Sequence, residues 1–266
     1  MKKLVVVCLV IVVAVQSCVW KRADSKEIYT EQKSFDSFEG IKVTRLIEAT
    51  VVHGDEYSVK INMPQYYADS VSMAVDSENN LVVHLFANRI RVKSGRIRVK
   101  SGKKIKAEIT CPSFNRLIAG DLSDVKVMPG YSFENIKLKA YALSSISFKE
   151  QIDVKNSCQI DVSDCSNVKL NLTAENLVVN SRSISTATIS GAVSTFDANA
   201  GDMSKIKCQK LIAKTVNATA SSMSEIFVHA DEKLELSATD ISKIRYSGDG
   251  ELLKRRCESL SMVKKK

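Results

Sequence analysis

One short pattern, apolar-Ser-x-apolar, returns eight times between residues 122 and 263, and it limits the fold more than any other feature. The first four copies are Leu122-Ser123-Asp124-Val125, Leu143-Ser144-Ser145-Ile146, Cys165-Ser166-Asn167-Val168 and Ile184-Ser185-Thr186-Ala187. The last four are Met203-Ser204-Lys205-Ile206, Met223-Ser224-Glu225-Ile226, Ile241-Ser242-Lys243-Ile244 and Leu260-Ser261-Met262-Val263. Successive serines lie 18 to 22 residues apart, about 20 on average. A fixed period of this kind marks a stacked-repeat architecture.

With the serine as position zero, columns emerge. Position −8 holds Ile136, Cys158, Leu177, Phe196, Val216, Leu234 and Leu253. Position −6 holds Leu117, Leu138, Ile160, Val179, Ala198, Ala218 and Leu236, and position −4 holds Ala119, Ala140, Val162, Ser181, Ala200, Ala220 and Ala238. The alternation resumes at +2 and +4, with Val127, Phe148, Leu170, Ile189, Cys208 and Val228 at +4. Period two means strands with one buried face. No i, i+3, i+4 stripe runs through these segments, which excludes amphipathic helices. A β-sandwich gives alternating strands but not a constant serine phase over eight copies. Positions −3 to 0 read as turn formers of the Gly, Ser, Asp and Thr types. A strand, a turn, a strand and a return in about 20 residues make one coil of a parallel β-helix, which buries its apolar face only by stacking on neighbours. Gly is 10 and Pro 3 of 266 residues, so the turns are not built on Gly and Pro.

A second period overlies the first. Position −2 is Asp121, Asp164, Asp202 and Asp240 in the odd copies and Ala142, Ser183, Ser222 and Ser259 in the even ones. Position +3 is Lys126, Lys169, Lys207 and Arg245 in the odd copies. Coils stack at about 4.8 Å, so like charges recur at roughly 10 Å. Two readings stand. The Asp caps a turn and the alternation keeps like charges off adjacent coils, or the cations form a stripe that matches a repeating anionic polymer. The Asp residues as a calcium ladder fit poorly, since calcium repeats are richer in Gly and Asp.

Residues 34–114 are also β but lack the serine phase. Phe35, Phe38, Ile41 and Val43 lead into Ile47-Ala49-Val51, and alternation returns at Val59-Ile61, Val71-Met73-Val75, Val83-Leu85 and Ile105-Ala107-Ile109. These strands are either irregular coils of the same solenoid or a separate sheet that caps it, with a seam near Cys111-Pro112. Within them Arg89-Ile90-Arg91-Val92-Lys93-Ser94-Gly95 is repeated at once by residues 96–102, including Arg96 and Arg98. Arg89 to Lys106 carries nine basic residues and no acid. The block suits a projecting two-stranded ribbon that contacts anionic lipid or acidic glycan, or a duplication that a surface loop tolerates.

The N-terminus carries an address. Met1-Lys2-Lys3 precedes an apolar run of 12 residues, Leu4 to Val15, too short to span a bilayer and suited to a signal peptide. Val15-Gln16-Ser17-Cys18 resembles a bacterial lipobox, with Gln16 where Ala, Ser or Thr is usual. Residues 1–17 are thus read as a lipoprotein signal peptide and Cys18 as the lipid attachment site. Residues 18–33 form a polar tether, 34–114 the N-terminal β region with its ribbon at 89–106, and 115–263 the serine-phased solenoid. The residues after Cys18 are basic rather than acidic, which disfavours export to the outer surface. Beyond Cys8 and Cys18, Cys111, Cys158, Cys165, Cys208 and Cys257 are an odd set at uneven spacing, neither a disulfide framework nor a zinc motif.

These residues together resemble a known family. The lipobox, the run Phe35-x-x-Phe38-x-x-Ile41-x-Val43 and the apolar-x-x-Gly of Val51 to Gly54 are similar to its opening. Ile105-x-Ala107-x-Ile109-x-Cys111-Pro112-x-Phe114-x-x-Leu117 resembles its extended crossing. Ala119-Gly120-Asp121-Leu122-Ser123-Asp124-Val125 and Ala200-Gly201-Asp202-Met203-Ser204-Lys205-Ile206 resemble its coils. The family is that of the GIN-domain proteins, auto-transporter adhesin heads common as lipoproteins in Bacteroidetes. The resemblance covers Phe35 to Tyr246 and implies an all-β, right-handed parallel β-helix at the cell envelope. It brings no catalytic residues.

Composition narrows function further. Apolar residues are 44% and charged residues 26%, which excludes general disorder. The net charge is +9 and the pI about 9.1, but secretion and scarce aromatics near the basic block argue against nucleic acid. His53, His84 and His229 are scattered and no nucleophile motif is present, so neither an enzyme nor a cofactor nor a metal is expected. The expectation is a membrane-anchored envelope lipoprotein, with the outer membrane as its anchor, that binds an acidic glycan or another envelope polymer. Candidate contacts are Lys126, Lys169, Lys205, Lys207, Lys243 and Arg245 on the coils, with Arg89, Arg91, Arg96 and Arg98 in the duplicated block. The alternatives are a structural scaffold without soluble ligand and, behind it, a polysaccharide-active β-helix enzyme.

Overall fold

The computed structural model describes residues 28–86 and 104–266. Cys18 and the duplicated block, with Arg89, Arg91, Arg96 and Arg98, lie outside the described residues. Among those described, eighteen strands join in one continuous hydrogen-bonded sheet that coils on itself about every 20 residues. The molecule is a parallel β-solenoid.

The regular part runs through β8 (Arg116–Gly120), β9 (Asp124–Val127), β10 (Ser132–Ala140), β11 (Ser145–Val162), β12 (Asn167–Ser181) and β13 (Thr186–Ala200). It continues through β14 (Lys205–Ala220), β15 (Glu225–Ala238), β16 (Lys243–Ser247), β17 (Glu251–Cys257) and β18 (Met262–Lys265). Neighbouring coils pair parallel and in phase: Val168 opposite Ala187, Ala187 opposite Ile206, Ile206 opposite Ile226, Ile226 opposite Ile244. Each sequence column is therefore a stack of side chains in space. The −6, −4, +2 and +4 columns are buried, as are Cys111, Cys158 and Cys208, which pack as small apolar residues. Burial pushes the Cys111 thiol up to about 11 and the Cys158 thiol up to about 12.

One column member is corrected. Leu253, placed at −8 by its spacing, is half-exposed. A bulge follows Leu252, so that Leu252 faces Leu234 and the next pair is Lys254 with Glu235. The extra residue turns Leu253 outward and Leu252 onto the core.

The serine phase has a structural cause. In seven of the eight copies the serine Oγ donates to a carbonyl of the preceding coil, as Ser204 does to Ser181 at 2.7 Å and Ser224 to Ala200 at 2.9 Å. In five of them the same Oγ accepts the N–H of residue −3 in its own turn, as from Thr239 to Ser242 at 3.1 Å. Only a small side chain that both donates and accepts fits this place, and each such hydrogen bond contributes about 0.5–1.5 kcal/mol. Ser166 differs: it accepts from the Ser144 N–H of the neighbouring coil. The serines rivet coil to coil.

The N-terminal segments resolve the two earlier alternatives by combining them. One coil is β2 (Gly40–Thr44) with β3 (Ile47–His53), and another is β6 (Asn80–Leu85) with β7 (Ile105–Cys111). Their stacking order departs from chain order. The β2/β3 coil lies between β6/β7 and β8/β9, since β2 pairs with both β6 and β8, and β3 with both β7 and β9. The chain thus builds the second coil, places a later one outside it, and crosses back at Cys111-Pro112. The outer coil is closed by antiparallel strands: β5 (Val71–Val75) on β6, β4 (Ser58–Pro64) on β7, and β1 (Ile28–Ser34) on β4. A 3-10 turn, Gln65–Ser70, joins β4 to β5. Phe38 is buried under this cap, edge-on to Phe35 and Tyr57 with ring centres 6.3 and 4.8 Å away. At the other end β17 and β18 form an open edge, set with Lys254, Arg255, Arg256, Lys264, Lys265 and Lys266. Glu251 and Glu258 stand among them, the latter 2.7 Å from Arg256, and the surplus of positive charge discourages end-to-end pairing.

Candidate binding surface

Nine turns among the described residues, eight of them just before a repeat serine and one at Arg45-Leu46 before Ile47, have both central residues at positive φ, between 51° and 66°. The pairs include Arg45 with Leu46, Asp121 with Leu122, and Ser183 with Ile184. This is the type I′ pattern, whose usual residues are Asn and Gly. Here the first place is often Asp or Ser, which tolerate the left-handed region, and the second is always Leu, Cys, Ile or Met. The left-handed region costs such a residue about 1–2 kcal/mol.

The second residue does not repay that cost by entering the core. Leu122, Leu143, Ile184, Met203, Met223 and Ile241 are 48–60% exposed, Leu260 is 90% exposed, and Cys165 is exposed as well. Eight apolar side chains thus line one edge of the solenoid, one per coil. Sequence reasoning missed this ladder because it took positions −3 to 0 as uniformly polar turn formers. The available signal was the apolar residue at −1 in every copy, in a segment that needs no core contact.

On either side of the ladder run two charged columns. The −2 Asp residues stand on alternate coils. Asp164 accepts a 2.9 Å hydrogen bond from Ser163, while Asp202 and Asp240 have no side-chain partner among the described residues. On the other side, the +3 cations emerge in the expected alternation: Lys126 and Lys169 both lie opposite Ser147, Thr188 separates Lys169 from Lys207, and Phe227 separates Lys207 from Arg245. All four are exposed.

The structure does not leave every predicted cation free. Lys126 is 3.3 Å from Asp124. Lys205 meets Glu225 at 2.8 Å, and Arg245 approaches the same carboxylate at 3.9 Å while its guanidinium lies 5.3 Å from the Phe227 ring centre. The Lys205 ammonium, with Arg245 and Lys243 nearby, holds the Glu225 carboxyl below the ordinary range. Lys169 and Lys207 have no acidic partner among the described residues.

Two polar groupings outside the columns were not foreseen. His229 stands between Ser247 Oγ, 2.9 Å from Nδ1, and Asp231, 3.0 Å from Nε2. Ser247 is the register partner of His229 on the adjacent strand and also points its hydroxyl at the Val228 carbonyl. The grouping has the form of a cross-strand polar contact. Near the first turn, Lys42, Thr44, His84, Phe86, Asp121 and Tyr141 line a shallow depression of about 420 Å³. There burial, with Arg45 beside it, holds the His84 imidazole below its usual value. Among the described residues no group of His, Cys, Asp and Glu has the arrangement to hold a metal ion, and no helix is long and apolar enough to cross a membrane.

The class this defines is a β-solenoid of short parallel coils with its chemistry on flat faces and one edge. The model of the family described as "Putative auto-transporter adhesin, head GIN domain" matches residues 37–250, so the chain belongs to that family. Among solved structures, a "putative adhesin" from Parabacteroides merdae superposes with a TM-score of 0.77 at 15% identity, over 91% of this chain and 97% of that one. A "putative lipid binding protein" from Parabacteroides distasonis gives 0.75 at 15%, over 91% and 97%. A "putative adhesin" from Bacteroides fragilis gives 0.61 at 19%, over 91% and 98%. At these identities the likeness is one of fold. No curated protein matches the chain in sequence.

Proposed function

We propose that this chain is a non-enzymatic adhesion module of the cell envelope, anchored by lipid at Cys18, which binds an acidic glycan on the face that follows the turns. The observation that carries the reading is the exposed +3 column, Lys126, Lys169, Lys207 and Arg245, repeating on every second coil of a flat parallel sheet. At about 4.8 Å per coil the cations recur at roughly 10 Å, a spacing an extended anionic polymer can meet repeatedly. Many weak contacts on one rigid rail add up without any deep pocket. Family membership and the adhesin descriptions of the structural neighbours support the class of activity, and the Bacteroidetes sources of those neighbours support the envelope address.

The test is retention on immobilised polygalacturonate, eluted with salt. Replacing Lys126, Lys169, Lys207 and Arg245 together by Gln lowers the eluting salt concentration and flattens its dependence on ionic strength, with the melting temperature unchanged because all four are exposed. Unchanged retention removes this surface as the binding site. The second reading, a scaffold without soluble ligand, is favoured by the neutralisation of Lys205 and Arg245 on Glu225, and a parent protein that is not retained at all supports it.

A further inference from the structure

The apolar ladder is unexplained by the fold. The turn geometry favours Asn or Gly at the position that Ile184, Met203, Met223 and Ile241 occupy, the core gains nothing from side chains that point away from it, and water gains less. Six of the eight remain about half exposed and Leu260 almost wholly so. We infer that the ladder is the seam of a homodimer, in which two copies meet turn edge to turn edge, parallel and coil on like coil, about a two-fold axis that runs along the solenoid.

Charge selects both the partner and the direction. Such an axis brings the column before the ladder in one copy against the column after it in the other. Asp164 then faces Asn167, Asp202 faces Lys205, whose ammonium it shares with Glu225 of the same copy as that lysine, and Asp240 faces Lys243, each pair occurring twice. Asp121 faces Asp124, whose carboxylate already has Lys126 beside it. Antiparallel edges instead set the acidic column of one copy on the acidic column of the other, which opposes association. A bilayer suits the edge less well, because carboxylates at −2 border the ladder along its length and would enter the headgroup layer with it. The length is adequate: coils at about 4.8 Å make the eight-rung ladder about 35 Å long. The +3 column lies beyond the seam, so this inference does not depend on the glycan reading.

Cys165 is a rung of the ladder and free, so the arrangement places it opposite its own copy across the axis. In full-length Cys257→Ser protein purified from membranes, oxidation with copper–phenanthroline gives a disulfide-linked dimer on a non-reducing gel, and Cys165→Ser abolishes it. In that double-Ser background, Met203→Cys and Met223→Cys each restore the cross-link, because a parallel in-register seam aligns every rung with itself. The variant Met203→Asp/Met223→Asp sediments as a monomer with an unchanged melting temperature, since Asp suits a left-handed turn position. Absence of cross-linking at all three rungs, cross-linking at one rung alone, or a dimer that survives the double Asp change overturns the inference. So does a double Asp variant that stays dimeric but loses flotation with phosphatidylglycerol vesicles, which assigns the ladder to lipid.

Discussion

The regular coils and the N-terminal cap solve one problem by opposite means. From β8 onward, coil rests on like coil, every column is filled by residues of similar shape, and the serine hydroxyls tie each turn to the coil before it. In the cap, coil order departs from chain order, three strand pairings are antiparallel, and the rings of Phe35, Phe38 and Tyr57 pack together. Repetition stabilises a middle but leaves an end with unpaired backbone groups. The cap trades repetition for closure, whereas the β17/β18 edge is set with clustered Lys and Arg.

The comparison is broken most severely in the middle. Ile206 is fully buried in the +2 column with a neighbour on each side. Ile206→Asp places an unpaired charge there and costs more than about 4 kcal/mol, so the protein fails to give one cooperative transition in urea followed by circular dichroism. Survival of that transition means the coils are less coupled than their packing implies. Phe38→Ala tests the cap. Removing a buried aromatic costs about 3–5 kcal/mol, and because the loss falls at one end, amide exchange should rise in β5 and β6 while β12 to β14 stay protected. Exchange that rises evenly along the solenoid indicates that cap and coils open as one unit. The serine rivet gives the smallest change. Ser204→Ala removes one of the two hydrogen bonds to the Ser181 carbonyl, the Gly201 N–H remaining on it, and costs about 0.5–1.5 kcal/mol. Ser261→Ala in the last coil costs less, since Ser261 is only partly buried, and equal shifts in denaturation midpoint mean that depth does not govern the rivet.

The same contrast decides what the sequence discloses. Columns from Leu117 to Val263 are legible because a period-two strand exposes its inside and outside in turn, and a repeat shows the pattern many times over. Leu253 escapes because a bulge adds a residue that no neighbouring copy contains. The order of β2/β3 and β6/β7 is hidden because it depends on pairings about 40 to 75 residues apart, such as Gly40 with Asn80 and with Arg116, and no local propensity records them. At the binding surface, the +3 cations are found at the expected positions, but the pairing of Arg245 and of Lys205 with Glu225 depends on three adjacent coils being seen together. The ladder is present in the sequence as the apolar residue at −1. Its outward direction follows from two consecutive positive φ angles, which the side chains Leu, Ile and Met themselves disfavour.

One detail of the cap has a wider meaning. Thr44 faces His84 and Ile47 faces Ile105, so two residues in one coil correspond to twenty in the next, and the duplicated heptads fall within those twenty. The flanking strands keep their register regardless. A solenoid turn is thus a graft point: chain can be spliced in between two strands already fixed by their neighbours, and the scaffold does not have to be redesigned to carry it. New surface can be acquired at this position by copying what is already there, and the twin heptads have the form such a copying event leaves.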